Sequence, residues 1–222
     1  METGRCPDGA DTIIGLDDGE TAVVGFGLLL AKSTLDKTLS RSYDGPFVRC
    51  HVEGWCRSWD VGMPNAAFYY EDRGERIYPE HIVYLNVRRE PGSLMNCTVF
   101  VLDRVELGVL NGREWIYEGL DVAGDLRGVE VRGGPALMNV ARPEHLLAGP
   151  ASRERTALRR SYIEMFDRVL ESLDSDVEAA YVRTTDPVPA GLVIDDHLDP
   201  DRPNPWAAAG HDFDPDSQQA PD

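Results

Sequence analysis

The stretch LNGREWIY, Leu110–Tyr117, places one carboxylate, Glu114, between an arginine and large aromatic residues. It follows a strand-like run at Thr98–Leu102 and a helix-like run at Val105–Leu110, and a further strand pattern comes after it. A lone acid in this position is also consistent with an ordinary surface residue. A second stretch, TAVVGFGLLL at Thr21–Leu30, has the pattern of a buried strand that enters a glycine-containing turn and then a helix. The two stretches are therefore predicted to be parts of one site.

Length, composition and charge limit the classes of protein to which the chain can belong. Its 222 residues are 42% hydrophobic and 27% charged, which is enough for one sizeable core with extensions. The net charge of −17 argues against binding to nucleic acid or to an anionic membrane, since both would repel the chain. The longest apolar run, Ala22–Ala31, is too short to span a bilayer, and Met1–Asp18 lacks an apolar signal region. We expect a cytoplasmic monomer or homodimer without nucleic-acid or membrane partners.

The cysteine pattern gives no sign of a metal site. Cys6, Cys50, Cys56 and Cys97 form no CxxC pair, so a zinc site is not expected. A disulfide scaffold is untypical of a chain of this length with an ordinary core. We predict reduced thiols.

The order of strand and helix patterns predicts an α+β fold in which the strands roll into a small mixed barrel. A flexible acidic arm is expected over residues 1–20, within which Thr12–Ile14 is able to form a short strand. The barrel is expected over residues 21–147, with C-terminal helices packed on it over 148–183. A Pro- and Asp-rich irregular tail is expected over 184–222, and we predict that it is disordered from Gly210 onward.

Alternating apolar residues and turn signals place the strands. The predicted strands are Thr21–Phe26, Phe47–Trp59, Phe68–Tyr70, Ile82–Val87 and Met95–Leu102. A loop is expected at Glu90–Ser93, because it contains Pro and Gly. Val129–Val131 and Ala136–Val140 are predicted to form a hairpin across Gly133 and Gly134.

Helical patterns occur near both ends of the barrel. Ser33 is expected to cap a helix that ends near Ser40, with Asp36 as a weak capping box. The clearest helix is predicted at Ser152–Leu173, and a further helix at Asp176–Arg183. One face of the Ser152–Leu173 helix carries apolar side chains at helical spacing: Leu158, Tyr162, Met165, Phe166, Val169 and Leu173.

Other motifs point more weakly to chemistry. Gly25-Phe26-Gly27 lacks the further glycine and the GK[ST] of nucleotide loops, and the chain has no GxSxG elbow. Its five histidines are scattered. Asp195-Asp196-His197 could attract a cation, but in a Pro-rich segment a solvated group is the simpler interpretation. The aromatic group of Trp55, Trp59 and Phe68–Tyr70 is more typical of a core than of a ligand cage.

Two motifs resemble those of the gamma-glutamylcyclotransferase-like family. The first is an aromatic-Gly turn after the first strand, which stands here as Phe26-Gly27-Leu28-Leu29-Leu30. The second is Leu-Asp-x-x-Glu, which stands here as Leu110-Asn111-Gly112-Arg113-Glu114. The two occur in the family's order, with an Arg-x-Trp segment at Arg57–Trp59 between them. The resemblance covers roughly residues 21–147 and implies a small mixed barrel whose turn and glutamate face one cavity.

The resemblance implies cyclisation of a γ-glutamyl amine or amide to 5-oxoproline, with release of the amine. Glu114 would be the general acid and base, and the backbone amides of Gly27–Leu29 would hold a carboxylate or an oxyanion. Phe26, Gly27, Leu28 and Leu29 would bind the substrate, and Trp115 and Tyr117 would line the pocket and raise the pKa of Glu114. The expected partner is a small γ-glutamyl substrate, and the reaction needs no metal or organic cofactor.

Departures from the family pattern leave alternatives open. Leu28 and Leu29 replace a polar pair, Asn111 replaces an aspartate, and Asn139 stands where a late tyrosine is often found. These changes favour one alternative, a non-catalytic module on the same barrel that binds a small ligand or a protein. A further alternative is removal of a γ-glutamyl protecting group from a biosynthetic intermediate, which uses the same chemistry on a larger amine.

Overall fold

A computed structural model describes residues 12–147 and 155–202. In these residues an eight-stranded mixed sheet curls into a half-barrel flanked by four helices, which confirms the predicted α+β class. The strands are β1 Thr12–Gly15, β2 Thr21–Gly25, β3 Phe47–Pro64, β4 Phe68–Asp72, β5 Glu75–Ile77, β6 His81–Leu102, β7 Tyr117–Asp121, β8 Leu126–Arg127, β9 Val129–Arg132, β10 Ala136–Ala141, β11 Thr156–Arg159, β12 Val193–Ile194 and β13 His197–Leu198. The helices are α1 Lys32–Thr38, α2 Arg104–Arg113, α3 Arg160–Glu171 and α4 Ser175–Arg183. None of these helices is long and apolar enough to cross a membrane.

The central strand β2 is buried on both faces, as its continuous apolar sequence predicts. It pairs antiparallel with β6 and parallel with β10, and the sheet order is β12-β11-β6-β2-β10-β7, with β3 also on β6. Val24 packs in the main core, whereas Val23 packs in a second cluster with Leu35 and Phe100. The chain leaves β2 in the middle of the sheet, and the residues that follow therefore lie between the two cores.

The long strands β3 and β6 pair antiparallel and bend at a bulge. Residues 90–93 of β6 lie opposite Gly54 alone, because the register moves from Glu53↔Leu94 to Trp55↔Arg89. Gly54 and Gly92 there have φ of +78° and +84°. A bulge bends the strand that carries it, so this irregularity helps the sheet to curl. The predicted loop at Glu90–Ser93 is therefore wrong, since the strand continues through it.

The predicted hairpin across Gly133 and Gly134 is also wrong. β9 pairs in parallel with β1, and β10 pairs with β2 and β7, so β9 and β10 are not partners. Gly133 has φ of +92°, and a Cβ on it would lie 2.8 Å from the carbonyl oxygen of Leu16. The turn thus packs against the segment after β1. β1 contains the short strand predicted at Thr12–Ile14, within the segment predicted as an arm.

The predicted helix Ser152–Leu173 is shorter in the structure. Its described N-terminal part, Thr156–Arg159, is the strand β11, which pairs in parallel with the start of β6. Leu158 is buried through this strand rather than through the helix. The helical face is confirmed at Tyr162 and Phe166, which are buried in the main core. Residues 152–154 lie outside the described part of the chain.

The other helices confirm the sequence patterns with one correction. α2 contains the predicted run Val105–Leu110 and begins at a capping box formed by Asp103 and Glu106. α4 corresponds to the predicted Asp176–Arg183 helix. Ser33 does not cap α1: Ala31 occupies the N-cap position, because a 3₁₀ turn at Leu28–Leu30 leads directly into the helix.

A C-terminal strap, residues 184–202, begins beside β3, where the backbone of Arg57 bonds with that of Thr184 and Asp186. It contains the short strands β12 and β13, which pair with β11 and β4. The interpretation of Asp195-Asp196-His197 as a solvated group holds for Asp195 and His197, which are exposed, and is wrong for Asp196, whose side chain is only 6% exposed. Asp196 accepts hydrogen bonds from the amide of Ser161 at 3.0 Å and from its hydroxyl at 2.6 Å, and Asp195 forms an ion pair with Arg160. The strap therefore caps the N-terminus of α3. The rest of the predicted tail, from residue 203, and the first 11 residues of the arm lie outside the described residues.

Cys50, Cys56 and Cys97 are buried free thiols, and the sulfur atoms of Cys50 and Cys97 lie 3.5 Å apart. In residues 12–147 and 155–202, no three His, Cys, Asp or Glu side chains are grouped to hold a metal ion. Cys6 belongs to the part of the chain that is not described.

Candidate active site

The two sequence stretches meet at one cavity of about 60 Å³. It lies where β2 and its turn approach the end of α2, with β7, β10 and α3 forming the other walls. Of the predicted site residues, the structure brings six to this cavity: Phe26, Gly27, Leu28, Leu29, Glu114 and Tyr117. The other described lining residues are Val23, Val24, Gly25, Leu85, Arg113, Asn139, Tyr162 and Phe166. The roles of these residues toward a substrate stay predictions.

The turn after β2 is compact because it folds back on Gly25. The amide of Leu30 donates to the carbonyl of Gly27 at 3.0 Å, which closes the 3₁₀ turn. The hydroxyl of Thr98 on β6 donates to the carbonyl of Leu29 at 2.9 Å and fixes the turn to the sheet. A Cβ on Gly25 would lie 2.7 Å from Leu29 Cβ and 2.9 Å from Thr98 Oγ1. Only glycine therefore fits at the end of β2 with the turn in this place.

Replacing Gly25 by alanine is expected to destabilise the protein and displace the turn. Overpacking of this kind typically costs about 1–3 kcal/mol. Gly27→Ala is the matched control, since a Cβ on Gly27 would meet Leu85 Cδ2 at an ordinary 3.4 Å. The two variants should be compared by urea unfolding. Equal midpoints for Gly25→Ala and Gly27→Ala would show that the close approach at Gly25 does not hold the turn.

Arg57 supports the turn from behind. The side chain is fully buried, and its Nε donates to the carbonyl of Phe26. One terminal nitrogen donates to the carbonyl and side-chain oxygens of Asn96, and the other donates to Thr184 Oγ1 at 2.8 Å. The guanidinium also lies 4.4 Å from the centre of the Tyr181 ring. Because these partners are neutral, burial lowers the pKa of Arg57 to about 10. In the sequence, Arg57 is marked only as part of an Arg-x-Trp segment, and that segment carries no signal for this role.

Glu114 follows α2 at its C-cap, where its amide donates to the carbonyl of Leu110 at 3.0 Å. Its side chain is 18% exposed, and its Oε1 lies 3.1 Å from Nε of Arg113. Burial raises the pKa of Glu114 above its ordinary value of 4.5, and the positive charge of Arg113 partly opposes this shift. A carboxylate whose pKa is raised is a better proton acceptor and, once protonated, remains able to donate.

The tyrosines of the cavity supply neutral hydroxyl groups. Tyr117 donates to the carbonyl of Leu85 at 2.7 Å, and burial raises its pKa well above 10. Burial also raises the pKa of Tyr162. Tyr162 and Phe166 stack edge to face with ring centres 5.1 Å apart and form the wall contributed by α3. The sequence pattern identifies both residues only as the apolar face of a helix, because it contains no signal for where that helix docks.

Trp115 lies outside the cavity, in contrast to the prediction that it lines the pocket. Its ring packs edge to face against His145, with ring centres 5.2 Å apart, and it is partly buried against the main core. Glu114 lines the cavity, whereas its neighbour Trp115 does not. Asn139, where the resemblance expects a tyrosine, does line the cavity and contributes an amide.

No family model matches the chain, and no curated protein matches its sequence. Solved structures do match. A gamma-glutamyl cyclotransferase is 10% identical with a TM-score of 0.47, covering 77% of this chain and 90% of that protein. The uncharacterized protein loc79017 from Homo sapiens is 12% identical with a TM-score of 0.49, and the match covers 78% of this chain and 91% of that protein. A gamma-glutamyl cyclotransferase specific to glutathione from yeast is 10% identical with a TM-score of 0.42, and the match covers 76% of this chain and 98% of that protein. In fold, the chain resembles these proteins.

Proposed function

We propose that this protein cyclises a γ-glutamyl amine or amide to 5-oxoproline and releases the amine. The main support for this proposal is the cavity itself, whose lining includes both Glu114 and the backbone turn of Gly25–Leu29. The motifs that resemble the gamma-glutamylcyclotransferase-like family lie at that cavity. The same chemistry applies to a γ-glutamyl-protected biosynthetic intermediate, from which it would release a larger amine.

The reaction requires one proton carrier. The α-amine of the substrate attacks the γ-carbonyl carbon, a C–N bond forms, and the amine proton passes to the Glu114 carboxylate. The same carboxyl group then gives this proton to the leaving nitrogen as the original C–N bond breaks. The raised pKa of Glu114 suits it to both steps, because the proton must be held briefly and then released.

The turn supplies the groups that stabilise charge on the γ-carbonyl oxygen. The amides of Leu28 and Leu29 are the first in the 3₁₀ turn and therefore have no hydrogen-bond partner within it. Backbone donors survive replacement of the polar side chains by leucine, so an oxyanion site does not depend on them. In this proposal the two leucines change the surface of the pocket and retain its donors.

The size and the apolar walls of the cavity favour cyclisation over hydrolysis. A volume of about 60 Å³ holds only a few water molecules at roughly 10–15 Å³ each. Cyclisation needs a curled substrate, and holding it in the reactive form is worth up to about 7–11 kcal/mol of the barrier. Leu28, Leu85 and Phe166 would exclude the water that would otherwise compete with the amine.

The proposal is tested by incubating the purified protein with a panel of γ-glutamyl amines, γ-glutamyl amino acids and glutathione. The expected result is equal amounts of 5-oxoproline and free amine from at least one compound. Release of glutamate instead would identify a hydrolase. Binding of a compound or of a protein without any product would favour the non-catalytic binding module, for which the apolar pair Leu28 and Leu29 is the main argument.

A further inference from the structure

Arg113 provides the positive charge of the cavity. Among the described lining residues it is the only cation, and Glu114 is the only anion. The two groups lie side by side, with Arg113 Nε 3.1 Å from Glu114 Oε1 and side-chain exposures of 11% and 18%. A γ-glutamyl substrate carries its own charges in the same arrangement, since its α-carboxylate and α-amine are attached to one carbon atom.

We propose that Arg113 binds the α-carboxylate of the substrate and thereby selects γ-glutamyl compounds over amines that lack this group. The inference rests on the proposed function and assigns a second group of the same site. On binding, the substrate carboxylate takes the place beside the guanidinium that Glu114 occupies in the structure. Glu114 is then released toward the α-amine, whose proton it must take.

Arg113 and the turn amides, the two sets of donors at the cavity, would then bind different groups of the substrate. The turn amides could hold either the substrate carboxylate or the oxyanion. With Arg113 on the carboxylate, the amides of Leu28 and Leu29 are left for the oxyanion. Arginine suits the first task because its planar, permanently charged guanidinium donates to both oxygens of a carboxylate.

The structure also holds the guanidinium in place. A terminal nitrogen of Arg113 donates to Thr38 Oγ1 at 2.6 Å, and the Thr38 hydroxyl in turn donates to the carbonyl of Thr34 at 2.9 Å. Both threonines are buried in α1. α1 therefore orients Arg113 toward the cavity, and we infer that Thr38 is a positioning residue for it.

The test compares two substrates that differ only in the α-carboxylate. The best γ-glutamyl amine of the panel is paired with the 4-aminobutanoyl derivative of the same amine, which would cyclise to 2-pyrrolidinone. Wild type is expected to favour the γ-glutamyl compound in kcat/KM by about 10- to 100-fold, the range for a hydrogen bond to a charged group. In Arg113→Gln this preference should fall toward one, mainly through KM. Arg113→Lys should restore part of it, and Thr38→Val should lose part of it.

Removing Arg113 also removes the cation that holds Glu114, which would raise kcat for the 4-aminobutanoyl compound. Loss of the carboxylate contact instead raises KM for the γ-glutamyl compound. Measuring kcat and KM separately for each substrate therefore distinguishes the carboxylate contact from the release of Glu114. Thermal unfolding of each variant checks that the fold is retained. An Arg113→Gln protein that keeps the wild-type preference would overturn the inference while leaving the cyclisation intact.

A binding measurement covers the case in which no compound is turned over. Calorimetry with 5-oxoproline and 2-pyrrolidinone reports the same carboxylate preference without catalysis. If wild type binds 5-oxoproline more tightly and Arg113→Gln does not, the assignment of Arg113 stands although the proposed reaction fails. If wild type shows no preference for 5-oxoproline, the inference is wrong.

Discussion

Glu114→Gln is expected to lower the turnover of γ-glutamyl substrates by about 10²–10⁴-fold, the usual contribution of general acid–base catalysis. Glutamine keeps the shape of the side chain and loses only proton transfer. Glu118→Gln is the control, since Glu118 is an exposed acid on β7 that does not line the cavity. 5-oxoproline release measures the effect. If Glu114→Gln and Glu118→Gln both retain wild-type turnover, Glu114 is not the proton carrier.

The raised pKa of Glu114 also fixes the direction of its pH dependence. As a base it acts when ionised, so kcat/KM should fall as the pH drops through a pKa that lies above 4.5. The folded state holds the proton more tightly than the unfolded state, so this contribution to stability is complete below the unfolded pKa. It is lost as the pH rises through the folded pKa. Glu114→Gln should therefore be as stable as wild type at neutral pH, or slightly more so, and thermal unfolding against pH checks this.

Arg57→Met is expected to reduce the free energy of unfolding by about 3 kcal/mol or more. It leaves buried acceptors on Phe26 and Asn96 without a donor at about 1–3 kcal/mol each, and also a partly buried one on Thr184. Part of this loss is offset, since burial lowers the pKa of Arg57 to about 10 and the charge itself opposes folding at neutral pH. Catalysis should fall as well, because the Phe26 carbonyl leads into the turn that lines the cavity.

Arg49→Met is the matched control for Arg57→Met. Arg49 lies on the same strand and also connects it to the start of α4, through an ion pair with Asp174. The side chains of that pair are 49% and 71% exposed, and exposed pairs contribute only about 0–1 kcal/mol. Urea unfolding of both variants gives the comparison. If Arg57→Met is as stable as Arg49→Met, the buried hydrogen bonds of Arg57 do not hold the turn.

Elements whose sequence pattern is local are predicted correctly. Elements whose secondary structure depends on pairing with a distant segment are not. β2, α2 and α4 follow from their own residues. Thr156–Arg159 does not, since it becomes a strand only because the edge of β6 is there to pair with it. Glu90–Ser93 has the composition of a loop and stays in a strand because its neighbours in β6 are paired on both sides of the bulge.

The same distinction applies to the site. Glu114 and the turn at Phe26–Leu29 could be predicted, because each belongs to a short motif. Arg113 was within the second motif, but its role depends on what else lines the cavity. Tyr162 and Phe166 line the cavity only because α3 docks there. Arg57 supports the turn by donating to the backbone carbonyl of Phe26, and a contact to backbone cannot be recognised in a sequence pattern.

The hydrogen bonds that Asp196 accepts from the first turn of α3 can form only late in synthesis. They join residues 35 positions apart, and α3 carries the wall formed by Tyr162 and Phe166. At translation rates of about 5–20 residues per second, the ribosome needs roughly 2–7 s to add those 35 residues. For that interval a nascent chain already contains its acid and its turn, while the helix that shields them from water still lacks its cap.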